Sequence, residues 1–342
     1  MHVPVVDQNQ KPLMPTTPSR AARWVKSGKA TPFWKRGIWC VRLNVDPSGD
    51  EKQDIAVGVD PGSKREGFTV KSEAHTYLNI QAHAVTWVKK RVEARRHLRR
   101  TRRSRNTPCR QPRWSNRRKE RFAPSTRARW NWKLRILNWL AKMYPIGTVC
   151  VEDIKASPRK GRGGRWNMSF SPLQIGKKYF FGEIRERWNL EIYQGYDTKA
   201  IRDELGLKKT SSKLAEKFSA HCVDSWALAN DYVGGHVKPD NESMLIIKPI
   251  EFHRRQLHRQ NFKPGGVRSD YGSTRSLGFE RGSIVVHPKW GEAYVGGTSN
   301  SRISLHCRET GKRLTQNAKP NDLRFRSFNS FTVKEAVNSS TP

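Results

Sequence analysis

The sequence predicts a mixed α/β sheet, and three observations carry that expectation. Short apolar runs follow one another as a meander between residues 54 and 80, later apolar runs alternate with segments of helical period, and an arginine-rich stretch separates the two. Asp54-Ile55-Ala56-Val57-Gly58-Val59-Asp60 reads as a buried strand and Pro61-Gly62-Ser63-Lys64 as the turn after it. Gly67-Phe68-Thr69-Val70 and Tyr77-Leu78-Asn79-Ile80 are the second and third strands. Val88 to Arg100 contains good helix formers and no Gly or Pro. Its apolar residues, Val88, Val92 and Leu98, are too few for a core-facing stripe, so this helix is solvated or wrapped by something else. Arg127 to Met143 places Trp130, Leu134, Leu137 and Leu140 at helical spacing, and Pro145 stops it. Thr148-Val149-Cys150-Val151-Glu152 is a short apolar strand, followed by a glycine-rich basic loop from Lys155 to Arg165. Leu173 to Trp188 reads as helix, Leu190-Glu191-Ile192-Tyr193 as strand, and Leu214 to Tyr232 as helix.

The two ends differ from this pattern. Residues 1 to about 52 are rich in proline (Pro4, Pro12, Pro15, Pro18), with a short helix capped by Thr17 and closed at Gly28. From about Ile250, the short β-prone runs 283–286, 292–295 and 302–305 are separated by Gly, Pro and Asn, the pattern of a small all-β module. There is no internal repeat.

Charge narrows the partner. The 342 residues include 66 Lys or Arg against 30 Asp or Glu, a formal charge of +36. From Lys89 to Arg121 there are sixteen Lys or Arg and only Glu93 and Glu120 to oppose them. So many like charges repel unless phosphates lie alongside. Twelve Trp and the lack of a long basic helix with an apolar face favour nucleic acid over an anionic membrane. No run approaches the roughly 18 apolar residues of a membrane span. The first residues have neither the basic nor the apolar part of a signal peptide. The five cysteines (Cys40, Cys109, Cys150, Cys222, Cys307) are far apart and never spaced C-x-x-C, which argues against a disulfide framework and a structural zinc site. A cytoplasmic protein with reduced thiols is expected.

Three acids stand out by position. Asp60 and Glu152 each close an apolar strand, and Asp224 lies in the late helix three residues after His221. Reacting groups in open α/β sheets gather beyond the carboxyl ends of strands. Acids placed there make an all-oxygen site for hard cations such as Mg²⁺ or Mn²⁺. Two such ions about 3.5–4 Å apart activate a water and stabilise the leaving oxygen of a phosphodiester. His221 shares a helix face with Asp224 and stands beside such ions as general base. Duller readings exist for each. Asp before Pro-Gly also starts turns, His221 alone also reads as a partly buried structural histidine, and strand phase decides between Glu152 and its neighbour Asp153.

The order of these segments resembles a known family. Ile55-Ala56-Val57-Gly58-Val59-Asp60-Pro61-Gly62, an arginine-rich helix, Val149-Cys150-Val151-Glu152-Asp153 and His221-Cys222-Val223-Asp224-Ser225 together look like a split RuvC nuclease with a bridge helix. This is similar to the RNA-guided effectors of the IscB group, and Pro12-Leu13-Met14-Pro15 matches the motif that names their PLMP domain. IscB proteins carry an HNH nuclease between the second and third RuvC motifs. Here only 68 residues separate Glu152 from His221, with no histidine among them, so the chain most resembles the HNH-lacking IsrB branch. The resemblance covers residues 1 to about 235, and the remainder matches by position only.

The resemblance implies an α/β fold: a split RuvC/RNase H-like mixed sheet, an inserted arginine-rich bridge helix, a small N-terminal PLMP domain and a C-terminal mainly-β module. The implied divisions are 1–52 (PLMP), 53–86 (first RuvC segment), 87–123 (bridge helix), 124–249 (second and third RuvC segments) and 250–342 (a module reading the target-adjacent motif). It makes Asp60, Glu152 and Asp224 the catalytic acids holding two Mg²⁺ or Mn²⁺ ions, with His221 as the histidine of the third motif. Lys89, Lys90, Arg91, Arg95, Arg96, Arg99, Arg100, Arg102, Arg103 and Arg105 would grip guide RNA and the guide–target duplex. The implied partners are a long structured ωRNA and a target DNA duplex forming an R-loop, with a monomeric protein in the ribonucleoprotein and no membrane. The expected product is a nick in the displaced, non-target strand. The rivals are a single RuvC centre that cuts both strands in turn, a structure-specific resolvase, and an RNA-guided DNA-binding protein without cleavage.

Overall fold

In the computed structural model, described for residues 2–47, 49, 51–105, 122–153, 171–212, 214–250, 275–280, 282–308, 310–328 and 331–336, the apolar runs become strands and the periodic segments become helices. The basic loop 155–165, residues 106–121 with Cys109, and the side chain of Arg102 lie outside the described set. By its contacts the chain divides into two units, one of residues 1–33, 39–246 and 334–342 and the other of residues 34–38 and 247–333.

The N-terminal residues hold more strand than their prolines suggest. β1 (Val3–Val6), β2 (Pro12–Thr16), α1 (Pro18–Lys26), β3 (Ala30–Lys35) and β4 (Ile38–Leu43) build a four-stranded sheet in the order β2-β1-β4-β3. The sequence pattern predicts only the short helix in this segment, and the structure adds four strands around it. Pro12 and Pro15 fall on β2, an edge strand, where a missing N–H costs no ladder bond on the open side. The helix itself is as expected: the Thr17 side chain accepts from Arg20 N, and Gly28 adopts φ 74° just past the end.

The central sheet contains β5 (Ala56–Asp60), β6 (Arg65–Lys71) and β7 (Thr76–His83), an antiparallel meander. The arginine-rich helix α2 (Val88–Ser104) and the tryptophan-rich α3 (Pro124–Leu140) follow, then β8 (Thr148–Asp153), α4 (Pro172–Arg185), β9 (Asn189–Gln194), α5 (Gly195–Glu204), α6 (Phe218–Val233) and β10 (Met244–Pro249). β8 runs parallel to β5, and β9 parallel to β8. With β18 (Phe331–Glu335) the seven strands lie in the order β18-β10-β7-β6-β5-β8-β9. A meander continued by parallel strands is the RuvC/RNase H-like mixed α/β arrangement expected from the sequence. All five residues of β5 are buried, because α6 covers one face of the sheet and neighbouring strands flank both edges.

Two glycines let α6 sit directly on the sheet. A Cβ on Gly58 would stand 1.8 Å from the Ser225 carbonyl oxygen, and one on Gly67 2.3 Å from that of His221. Buried hydrogen bonds fix the register of this contact. The Thr69 hydroxyl donates to Asn79 Oδ1 (2.9 Å) and lies 2.8 Å from the Ser225 hydroxyl, while Trp226 Nε1 donates to Thr76 Oγ1 (2.8 Å). α3 is anchored separately. Trp132 Nε1 donates to the His83 carbonyl (3.0 Å), and Lys133 donates to Glu66 (2.7 Å) in a fully buried ion pair.

The remaining strands are β11 (Arg275–Ser276), β12 (Phe279–Glu280), β13 (Ser283–His287), β14 (Gly291–Ser299), β15 (Arg302–Cys307), β16 (Arg313–Ala318) and β17 (Arg324–Phe328). β13 to β17 form a five-stranded sheet in the order β16-β15-β14-β13-β17, over a core of Val285, Ala293, Val295, Ile303, Leu305, Ala318 and Leu323. This is the β-rich C-terminal module expected from its turn-rich pattern.

Candidate active site

Asp60 ends β5, Glu152 lies near the end of the parallel strand β8, and α6 lays Asp224 across the same edge. One carboxylate oxygen from each falls within 4.8 Å of the others, although 164 positions separate the first from the last. Asp60 and Asp224 are buried and Glu152 is half-buried. A neighbour decides between Glu152 and Asp153: Asp153 turns to Lys177 of α4 and forms an ion pair there. Gly195 keeps the way to Glu152 clear, since a Cβ at that position would come within 3.1 Å of Glu152 Oε1.

His221 reaches the cluster from the turn before Asp224, its Nδ1 3.0 Å from Asp60 Oδ2. Two cations that the sequence does not single out complete the arrangement. Arg202 of α5 brings Nε to 2.7 Å from Asp224 Oδ1, and Lys209, in the segment between α5 and α6, donates to Asp224 Oδ2. Arg202 is hidden because α5 itself is absent from the sequence-based elements. Its start signal is present, an Asp at the third helical position, and the Gln194 amide donates to Asp197 Oδ2 at 2.8 Å. Lys209 has no signal in spacing or composition.

The carboxylates crowd one another. Burial first, then the charge and hydrogen bond of Asp60 and the charge of Asp224, push Glu152 up to about 7, against the pull of Lys209. Burial and Asp60 likewise raise Asp224, while Lys209 and Arg202 draw it back. Burial works against the Lys209 ammonium, but Asp60, Asp224 and Glu152 outweigh it and hold the group above its usual range. Such a set suits a hard divalent cation. All three donors are carboxylate oxygens, and the buried Asp224 Oδ1 accepts no aligned hydrogen bond despite the nearby guanidinium.

A pH-dependent result follows. Glu152 holds its proton in the folded chain up to about pH 7 and loses it in the unfolded chain near the ordinary value of 4.5. The folded state therefore binds more protons across that window, and this group's contribution to stability falls as pH rises through it. A divalent cation needs the ionised carboxylates, so it reverses that loss. The gain in melting temperature from saturating Mg²⁺ over chelator should grow from about pH 5 to about pH 8, and Glu152→Gln should flatten it. An equal gain at both pH values would remove the cluster as the cation site.

The predicted nucleic-acid residues lie along α2. Lys89, Lys90, Arg95, Arg96, Arg99, Arg100, Arg103 and Arg105 are exposed there, and Arg91 is half-buried. The apolar Leu98 is 54 % exposed, which fits the absence of a core-facing stripe.

Residues 3–165, a little under half of the chain, match a protein family described as RRXRR protein. Arg99-Arg100-Thr101-Arg102-Arg103 in α2 spells that pattern. Among solved structures, the chain is similar to T. thermophilus RuvC in complex with Holliday junction substrate, at 14 % identity over 53 % of this chain and 97 % of that one, with a TM-score of 0.28. It is also similar to the yeast mitochondrial Holliday junction resolvase Ydc2, at 13 % identity over 54 % of this chain and 80 % of that one, with a TM-score of 0.28. A search of the curated proteins finds no match. A mixed sheet that gathers an Asp/Glu/Asp cluster past its strand ends offers an all-oxygen donor set for divalent cations. No helix among the described residues is long and apolar enough to cross a membrane.

Proposed function

We propose that the chain is an ωRNA-guided DNA endonuclease of the IsrB kind, the HNH-lacking branch of the IscB group, and that it nicks the non-target strand of an R-loop. The observation that carries this reading is the convergence of Asp60, Glu152 and Asp224 from three distant segments. The RRXRR match over residues 3–165 supports it, because that family is found in IscB-type nucleases. The exposed cations of α2 support it as well, as a surface on which RNA phosphates can lie.

In this reading residues 1–52 form the PLMP domain, 53–86 and 124–249 the RuvC nuclease, 87–123 the bridge helix, and 250–342 the module contacting the target-adjacent motif. Asp60, Glu152 and Asp224 would hold two Mg²⁺ or Mn²⁺ ions, which when bound supply an activated water and charge stabilisation at the leaving oxygen. Asp60 orients the His221 ring through Nδ1, so the imidazole stands beside the cluster as the general base for the attacking water. Arg202 holds Asp224 in place from α5. Pairing with the guide reads the target sequence, and the protein reads duplex shape and a short motif.

The test is cleavage of a matched duplex labelled on one strand at a time, with protein carrying its co-purified RNA. A single cut in the non-target strand that requires both RNA and divalent metal is expected. Cuts in both strands would favour a single centre acting twice, and tight binding with neither strand cut would leave an RNA-guided binding protein.

A further inference from the structure

Two cations touch Asp224, and they are held differently. Arg202 projects from α5, and its side chain is 15 % exposed. Lys209 lies in the connection between α5 and α6, where Leu207 N donates to the Arg202 carbonyl (2.8 Å) and Thr210 N to the Ser219 carbonyl (2.9 Å). These two bonds fix the backbone on either side of Lys209, but its side chain is a long flexible stem. That side chain is 33 % exposed, against 3 % for Asp224. Lys209 is therefore the more solvent-accessible of the two cations at Asp224. Its ammonium faces Asp224 directly and feels the charges of Asp60 and Glu152.

We propose that Lys209 is the cation that divalent ions replace, and that its displaced ammonium then contacts the phosphate being cut. The proposal rests on the nuclease reading above. Carboxylates this close repel strongly at the low effective dielectric of a buried site, and a positive charge among them offsets that repulsion when metal is absent. Once two doubly charged ions neutralise the cluster, the same ammonium is repelled from it. A tethered lysine a few ångströms outside the site then meets the nearest negative group, the non-bridging oxygens of the scissile phosphodiester. There it offsets charge that grows as the leaving oxygen departs. Arg202, the less exposed of the two, stays on Asp224.

The experiment uses the full chain with its RNA bound and titrates Mn²⁺ calorimetrically, with cleavage rates measured at saturating Mn²⁺. Lys209→Met should bind Mn²⁺ roughly tenfold more tightly, because the competing charge is gone. It should also cut about 10²-fold more slowly, the loss typical of removing one preorganised charge from a transition state. Lys209→Arg should restore most of the rate, and Lys209→Gln should behave as Lys209→Met does. Unchanged Mn²⁺ affinity in both neutral variants would overturn the exchange, and a wild-type rate at saturating Mn²⁺ would overturn the phosphate contact. Asp60→Ala, titrated in parallel, separates the two levels. If that variant keeps wild-type Mn²⁺ affinity, the nuclease reading fails; if it loses affinity while the Lys209 variants stay unchanged, only the role of Lys209 fails.

Discussion

Asp60→Ala should lower DNA cleavage by about four orders of magnitude or more, the scale seen when a central catalytic group is removed, and should leave RNA binding near the wild-type level. Asp60 touches two other working parts of the site. It lies 3.0 Å from His221 Nδ1 and shares a hydrogen bond with Glu152. Its removal takes away a cation ligand and the group that orients the imidazole together. Asp60 lies on β5 and not on α2, so the exposed cations proposed to hold RNA stay in place. A second readout makes the assignment harder to mistake for damage to the fold. Asp60 raises both Glu152 and Asp224, so deleting its charge relieves repulsion among buried carboxylates. The metal-free variant should melt no lower than wild type, and its melting temperature should stop responding to Mg²⁺. Cleavage assays beside melting curves with Mg²⁺ and with chelator check both statements. A variant that still cuts at the wild-type rate would remove Asp60 from the chemistry.

Gly58→Ala should be strongly damaging for the addition of a single methyl group. The added Cβ would lie 1.8 Å from the Ser225 carbonyl oxygen, 2.8 Å from its carbon and 3.1 Å from Ala229 N, all backbone atoms of α6. Backbone cannot rotate aside as a side chain does, so α6 must lift or β5 must shift. Overpacking of this kind costs about 1–3 kcal/mol when side chains can yield, and here the cost should exceed about 4 kcal/mol. That is a large share of the roughly 5–15 kcal/mol by which domains are stable. At roughly 2–4 °C per kcal/mol, the melting temperature should fall by about 8 °C or more. Gly182→Ala is the control. It lies in α4, where an added methyl would meet nothing within 4 Å, and replacing Gly by Ala inside a helix is favourable by up to about 1 kcal/mol. Any Gly58→Ala protein that does fold should bind RNA and cut poorly, because His221 and Asp224 ride on the displaced helix. Equal melting temperatures for wild type and Gly58→Ala would mean that α6 does not rest on the sheet as described.

The parts of this molecule that can be read in advance are those whose signal is local. β5 announces itself because burial on both faces demands an unbroken apolar run. α3 does so because Trp130, Leu134, Leu137 and Leu140 repeat with the helix and are all buried. Ends of elements differ by a few residues: the late helix starts at Phe218 rather than Leu214, and α3 stops at Leu140 rather than Met143. α5 escapes notice because only Thr198 on it is buried, so it has almost no apolar stripe to find. The N-terminal sheet escapes because proline argues against strands, and only the edge position of β2 lifts that objection. Within the site, Asp60, Glu152, His221 and Asp224 are legible from where they stand relative to apolar elements. Arg202 and Lys209 are not. Among 66 cations no single one is conspicuous, and their partner Asp224 is chosen by tertiary packing alone.

The positions of α2 and α6 along the chain also set an order of events during synthesis. α2 ends at Ser104, whereas the helix bearing His221 and Asp224 is not complete until Val233. A ribosome-bound chain thus owns its cationic rod well over a hundred residues before its three carboxylates can meet. On this ordering, and under the function proposed above, a nascent molecule would take up RNA while still harmless to DNA.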